Sequence, residues 1–401
     1  MKEPFISNSN DIKVDNDLFS WMRDIRRHIH RHPELGFEEY KTSQLITEKL
    51  RELGINFRSG LAKTGILAEI GELRGPFVAL RADMDALPLK EETGLSFSSQ
   101  EKEIMHACGH DGHVAMLLGA AFLLKRIEDR LKLPVRLIFQ PAEEAGAGAK
   151  AMIDAGALED VTIIFAGHID PNFHVGEIGY KPGLLNAYAD GFEIYLTGEG
   201  GHGARPHEGK DALVAAAHLI LSLQTLSSRC IDPLSPHVIS VGQMQIGDAP
   251  NCIAHHGVIK GTVRSTDSKV RDDIFLGIKR CCDSISEMMD IKVELKWIQS
   301  YPPVINDEFA LSIAKEAAKK TVGQEGLRLI ALPSLGGEDF AYYLERVRGA
   351  MLRFGAGFSN KKQYPLHNPK FDFNEGVFRV GASFLAQVAV LSGDMLTQGY
   401  N

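Results

Sequence analysis

With 401 residues the chain is longer than one hydrophobic core usually serves, so two domains are expected. Its composition, 44% hydrophobic and 24% charged, is ordinary for a soluble protein. A net charge of −8 and the lack of any basic run of five or more argue against nucleic acid, and no apolar run reads as long enough to cross a bilayer.

The N-terminus, Met1 to Asn16, is polar and mixed in charge and lacks the basic-then-apolar layout of a signal peptide. The five cysteines are odd in number and Cys281-Cys282 are adjacent, which fits a reducing compartment better than a disulfide framework. A cytoplasmic location is the expectation. Phe19 to His30 and Tyr40 to Leu53 read as amphipathic helices joined by a turn at Arg31-His32-Pro33-Glu34-Leu35-Gly36. Ile66 to Ile70 and Phe77 to Leu80 read as strands, the second ending in Arg81-Ala82-Asp83-Met84-Asp85-Ala86-Leu87-Pro88. Charges at the carboxyl end of a buried strand sit where open α/β sheets keep their sites.

Met105-His106-Ala107-Cys108-Gly109-His110-Asp111-Gly112-His113 follows, with five residues able to bind a metal or handle a proton, and runs into an apolar helix, Val114 to Leu124. Burying imidazole, thiol and carboxylate costs about a few kcal/mol per group unless each finds a partner. The alternative is a polar loop with Asp111 as helix cap. Val135 to Phe139 is a buried strand ending in Gln140-Pro141-Ala142-Glu143-Glu144-Ala145-Gly146, and Val161 to Ala166 is another, ending in Gly167-His168. Strand, chemistry, helix, strand, chemistry is the rhythm of an α/β domain.

Near residue 187 the pattern changes. Phe192–Thr197, His237–Met244, Gly257–Arg264 and Ile291–Trp297 read as strands, and Asp211–Leu226 and Lys269–Met289 as helices. The order β-α-β-β-α-β predicts two helices on one antiparallel sheet. After Tyr301-Pro302-Pro303 come a helix over Asp307–Lys320, a second opened by Gly336-Gly337-Glu338-Asp339-Phe340, a strand at Met351–Phe354 and a polar loop, Tyr364-Pro365-Leu366-His367-Asn368-Pro369. A last helix covers Glu375–Leu391. The expected division is 1–186 and 301–401 for a larger domain and 187–300 for a smaller one inserted into it.

The chemistry lies in a conjunction. Cys108 and His110, two apart in an irregular loop, can face one centre, and a thiolate suits zinc and other late divalent metals. Of the adjacent Glu143 and Glu144, one can bind a metal while the other works on its water. His168 and His367 are each, alone, as readily a core or surface histidine. Together Cys108, His110, Glu144, His168 and His367 are too many ligands for one tetrahedral site and suit two metals with a bridging ligand, as in hydrolases.

His30-Arg31-His32-Pro33-Glu34-Leu35-Gly36, Arg81 to Pro88, Met105 to His113, Pro141-Ala142-Glu143-Glu144 and the loop around His367 resemble the di-metal amidohydrolase and aminoacylase/carboxypeptidase family. They resemble above all its branch of auxin–amino-acid conjugate hydrolases, hippurate hydrolases and N-acetyl-diaminopimelate deacetylases. The resemblance implies an α/β fold: a phosphorylase/hydrolase-like three-layer catalytic domain with an inserted ferredoxin-like α+β lid that also dimerises. It implies two divalent ions per subunit (zinc, manganese, cobalt or nickel) on Cys108, His110, Glu144, His168 and His367, with Cys108 bridging. Glu143 becomes the general base and later the proton donor to the leaving amine. Arg81 stands where the wider family has the histidine of a His-x-Asp motif, so it cannot be that ligand, whereas Asp83 still orients one.

In Gly200-Gly201-His202-Gly203, the resemblance implies that His202 reaches the site of a partner subunit in a homodimer and helps bind oxyanion or substrate carboxylate. Asn251 and Arg264 match substrate-contacting positions, although Asn251-Cys252-Ile253-Ala254 replaces the usual Asn-Val-Ile-Pro. Glu338-Asp339 matches a pocket-edge motif or caps a helix. The implied substrate is a small-molecule N-acyl-amino acid of acetyl, benzoyl or indole-acetyl type, with no nucleic acid or membrane as partner. A dipeptidase or carboxypeptidase on the same metals and a catalytically silent metal-binding dimer are the competing readings.

Overall fold

Every residue of the strand Phe77–Asp83 is buried. Neighbouring side chains on a strand face opposite ways, so both faces of its sheet must be covered, which makes a three-layer arrangement. The computed structural model describes residues 12–72, 75–146 and 148–398, and the first eleven residues of the N-terminal stretch lie outside them. The chain divides into two compact units: Met1–Gly183 with Ile305–Ala331 and Asp339–Asn401, and Leu184–Val304 with Leu332–Glu338. The breaks at Leu184 and Val304 compare with 187 and 300 from the sequence. Leu332–Glu338, assigned above to the larger domain, counts with the second unit.

In the first unit, strands β1 (Asn56–Leu61), β2 (Gly65–Ile70), β3 (Phe77–Asp83), β4 (Val135–Gln140) and β5 (Val161–His174) belong to one eight-stranded sheet. Its order is β1-β2-β4-β3-β5, then Arg348–Gly357, Ile178–Tyr180 and Leu327–Leu329. The pairs β3–β4 and β3–β5 are parallel. Helices α1 (Asn16–Arg31), α2 (Tyr40–Glu52), α3 (His110–Lys125) and α4 (Gly148–Asp154) precede the second unit. All of α3 except Phe122 and Lys125 is buried, as expected of a helix apolar on every side. It packs against α1, β3 and the last helix, Val377–Thr397. That last helix corrects one expectation, since it has the length and, at 1.3, the mean hydropathy to cross a membrane. Val377, Phe378, Val380, Phe384, Leu385 and Val388 instead sit in this unit's core.

Three further elements differ from expectation. Strand β1 was not expected because it is an edge strand with mostly exposed residues and no apolar alternation. Strand β5 does not stop at Ala166. Its register with β3 ends at Arg81↔Ala166, but it stays paired with Arg348–Gly357 as far as His174. The helix expected after Phe340 is only Ala341–Leu344.

The second unit carries a four-stranded antiparallel sheet in the order His237–Ile246, His256–Ser265, Tyr188–Thr197, Lys292–Tyr301. Helices Ala212–Cys230 and Ser268–Met289 pack on each other and on this sheet, the ferredoxin-like arrangement. Side chains of Asp211 and Asp267 cap the two helices. Phe192, Ile194, Leu196, Leu219, Ile259 and Ile278 form its core.

Candidate metal centre

The site in the first unit grows from two chain turns. Gly109 adopts φ +91°, a left-handed conformation natural only to glycine, and α3 starts at the next residue. The turn lets Cys108 and His110 face one centre. The second turn follows β4, where Ala142 (φ +54°) precedes Glu143 and Glu144. A non-glycine residue in this region is strained and needs fastening. The Ala142 N–H donates to Glu39 Oε1 at 2.8 Å. His367, φ +63°, is fastened likewise, its N–H donating to the Ala107 carbonyl at 2.8 Å.

Ligand atoms of Cys108, His110 and His168 all lie within 4.8 Å of one another, and so do those of Cys108, Glu144 and His367. The two groups share Cys108. All five sequence-expected ligands are thus brought together, with Glu143 in a third group beside His110 and Glu144. Cys108 Sγ lies 3.5 Å from His168 Nε2, and His367 Nε2 lies 3.2 Å from Glu144 Oε1.

The histidine tautomers fit metal ions. His168 Nδ1 donates to the Ile169 carbonyl at 2.7 Å, which leaves the Nε2 lone pair facing Cys108. His110 Nδ1 donates to the Asp85 carbonyl at 2.9 Å, and its buried Nε2 has no hydrogen-bond partner. A buried nitrogen with a free lone pair beside a thiol is what a soft divalent cation satisfies. Burial, with the Glu144 charge adding to it, pushes the Cys108 thiol up to about 12. Only a strong local positive charge makes it a thiolate, and two divalent ions would supply that charge.

The five polar residues of Met105–His113 divide by role. Cys108 and His110 face the centre. His113 does not: its Nδ1 donates to Asp83 Oδ1 at 2.5 Å and its Nε2 accepts from the Ile169 N–H at 2.9 Å. Asp111 accepts from Arg26 Nε and His30 Nδ1, both at 2.8 Å. His106 is buried with neither ring nitrogen hydrogen-bonded, and burial drives its pKa down to about 3.

Asp83 was expected to orient a ligand. It lies 3.7 Å from His110 Nε2, too far for a hydrogen bond, and its partners are His113 and Arg81 Nη1, the latter at 2.6 Å. Asp85 performs the orienting, holding His110 through its carbonyl and the Glu144 N–H through Oδ2 at 2.9 Å. Sequence reasoning gave no separate role to Asp85 or His113 and left Asp339 as a pocket-edge or capping residue. The only sign of the first was its place two residues beyond Asp83.

His202, Asn251 and Arg264 belong to the second unit. His202 pairs with Cys252 across a two-stranded ladder, and the Gly203 N–H donates to the Asn251 carbonyl at 2.8 Å, so His202 and Asn251 are neighbours. His202 is exposed, and its Nδ1 accepts from the Ala204 N–H at 3.1 Å, which leaves Nε2 as its outward nitrogen. The Arg264 guanidinium is turned to main-chain carbonyls, donating to Val263 at 3.0 Å and Asp190 at 3.3 Å.

Residues 79–390 match the model of peptidase family M20/M25/M40. N-acetyl-L-cysteine deacetylase of Bacillus subtilis (strain 168) is 43% identical over 366 residues, covering 91% of this chain and 86% of that protein. IAA-amino acid hydrolase ILR1-like 5 of Arabidopsis thaliana is 38% identical over 380 residues, covering 93% and 87%. The crystal structure of a dinuclear metal-binding M20 peptidase from Bacillus subtilis superposes with a TM-score of 0.80 at 36% identity, covering 95% of this chain and 99% of that one. A donor set that divides into two groups around one thiol is what a dinuclear centre requires, and with the match running over most of its length the chain belongs to peptidase family M20/M25/M40 and is a hydrolase.

Proposed function

We propose that the protein is a metal-dependent amidohydrolase that cleaves the amide bond of N-acyl-L-amino acids to a carboxylate and a free amino acid. The observation that carries the reading is the shared position of Cys108 in two donor groups with Glu143 beside them. His110 and His168 would hold one ion and Glu144 and His367 the other, with Cys108, which belongs to both donor groups, available to each. When bound, the ions polarise the substrate carbonyl and lower the pKa of water.

Glu143 takes the proton from the attacking water as its oxygen bonds to the amide carbon. When the C–N bond breaks, Glu143 hands that proton to the departing amine nitrogen, so the base is restored at the end of each cycle. His202 binds the oxyanion or the substrate carboxylate from the lid of a partner subunit in a homodimer, and Asn251 and Arg264 contact substrate. The metal is zinc, manganese, cobalt or nickel, and the enzyme is cytoplasmic. The deacetylase and the conjugate hydrolase named above support an N-acyl-amino acid substrate. The neighbour described as a peptidase favours a second reading, a dipeptidase or carboxypeptidase on the same centre.

The test is amine release from acetyl-, benzoyl- and indole-acetyl-amino acids, with each metal added and with a chelator. Chelator-sensitive turnover that disappears in Glu143→Ala, with metal still bound, is expected. Turnover confined to unblocked dipeptides supports the second reading, and a Glu143→Ala variant as fast as the wild type rules out the mechanism.

A further inference from the structure

The loop that carries Glu143 and Glu144 is clamped by one buried carboxylate, that of Asp339, 196 positions beyond Glu143. On one side of the loop, Gln140 ends β4 and its Nε2 donates to Asp339 Oδ1 at 2.9 Å and Oδ2 at 2.8 Å. On the other side, Ala149 in the first turn of α4 donates its N–H to Asp339 Oδ2 at 2.9 Å. The loop closes tightly between these anchors, since a Cβ added at Gly148 would lie 1.7 Å from the Pro141 carbonyl oxygen. The Asp339 main-chain N–H is directed at Glu143 Oε1, 3.3 Å away.

Arg81 extends the clamp. Its Nη2 donates to Asp339 Oδ1 at 2.8 Å, its Nε to Gln140 Oε1 at 2.8 Å and its Nη1 to Asp83 Oδ2 at 2.6 Å. Asp83 in turn holds His113. One guanidinium thereby ties the base loop to the histidine side of the centre. Arg81, Asp83, Gln140 and Asp339 are all buried. Buried ion pairs seldom stabilise a fold more than well-packed apolar side chains do. Their use here is geometric.

We propose that Asp339 is the positioning residue of Glu143: its carboxylate fixes both ends of the loop, its N–H orients the Glu143 carboxylate, and Arg81 sets it relative to Asp83. This rests on the reading of Glu143 as the base. Asp339→Asn keeps the side-chain shape and the main-chain N–H but removes the charge that Arg81, Gln140 and Ala149 converge on. A misplacement on the order of 1 Å costs up to about 100-fold in rate.

The experiment compares wild type, Glu143→Ala, Asp339→Asn, the double variant and Gln140→Met, all as full chains loaded with the same metal and assayed for metal content and amine release. Asp339→Asn is expected to retain its metal, lower kcat by about 10- to 100-fold and leave KM within about threefold. Added to Glu143→Ala, it should change the residual rate by less than about twofold, because there is no base left to position. Gln140→Met removes one arm of the clamp and gives a smaller loss of the same kind, which serves if Asp339→Asn does not fold. An equal loss in both backgrounds, or one that follows metal content, means a structural role and overturns the proposal. A wild-type rate for Asp339→Asn with Glu143→Ala inactive overturns the positioning alone, whereas a wild-type rate for Glu143→Ala overturns the reading beneath it.

Discussion

Arg26 is the largest fully buried side chain among the described residues, and replacing it tests how the first unit tolerates charge in its core. Its Nε donates to Asp111 Oδ2 at 2.8 Å and its Nη1 to Glu375 Oε1 at 3.1 Å, while Phe373 and Phe97 lie 4.3 and 4.7 Å from the guanidinium carbon. Asp111 is fully buried, and although burial works the other way, Arg26 and His30 hold its carboxyl far below the ordinary range. Arg26→Met keeps the apolar stem and removes the charge, leaving Asp111 with His30 and the Gly112 N–H. Removing one partner of a buried pair costs about 3–5 kcal/mol. At roughly 2–4 °C per kcal/mol for a unit of this size, the melting temperature should fall by about 10 °C. Asp111→Asn removes the stranded charge, so the double variant should be more stable than the sum of the singles by about 2 kcal/mol. Urea unfolding of the chelator-treated protein measures this, with Trp21 as the probe. Replacing Trp297, the other tryptophan, by Phe confines the signal to the first unit. A cost for Arg26→Met below about 1 kcal/mol, or strict additivity in the double variant, would refute the reasoning.

Two more predictions concern the strained turns. Glu39 is buried behind Ala142, and burial pushes its carboxyl up to about 7 from 4.5. Between those values the folded state binds more protons than the unfolded one, so this group's stability is complete below about pH 4.5 and falls by about 3 kcal/mol as pH rises through 7. Glu39→Gln can accept from Ala142 without ionising, so its melting temperature should pull ahead of the wild type between pH 5 and 8. Parallel curves would show that Glu39 is not the titrating group. Gly109→Ala forces alanine into φ +91° at a cost of about 1–2 kcal/mol and brings a Cβ to 3.3 Å from Ile169 Cδ1. Because this turn aims both Cys108 and His110, competition against a chromophoric chelator should show metal affinity reduced by about tenfold or more. An unchanged affinity means that the turn does not set the donor geometry.

What the sequence reveals of this centre follows the length scale of each contact. Cys108 and His110 are legible because their spacing alone puts two donors in one loop, and Glu143-Glu144 because the pair ends an apolar strand. His168 is reached for an incomplete reason. It does not end its strand, and it faces the centre because β3 stops at Asp83 while β5 continues beside Arg348–Gly357. His367 depends on the resemblance, since no local pattern places a half-exposed loop histidine against Glu144. The contacts of Asp339 are illegible for the same reason: Glu338-Asp339 reads as a pocket-edge motif or a cap, and the partners that bury it are 190 to 258 positions away. Strand β1 and the reach of the second unit to Leu332–Glu338 are likewise set by tertiary pairing, which no periodicity records.

The residues at the end of β3 explain why an arginine can stand where the wider family has a histidine. An imidazole offers two nitrogens, so it can serve a metal and one further partner. The Arg81 guanidinium reaches Asp83, Gln140 and Asp339 at once, through Nη1, Nε and Nη2. That exchange removes a ligand and adds a brace. Cys108 belongs to both donor groups. Asp85 completes the brace, since the residue whose carbonyl fixes His110 also takes the Glu144 N–H on its side chain. Arg81, Asp83 and Asp85 thus join the Cys108–His110 half of the centre to the Glu143–Glu144 half without contributing a donor to either of the two groups. A single strand end therefore ties the Glu143–Glu144 loop to the Cys108–His110 turn.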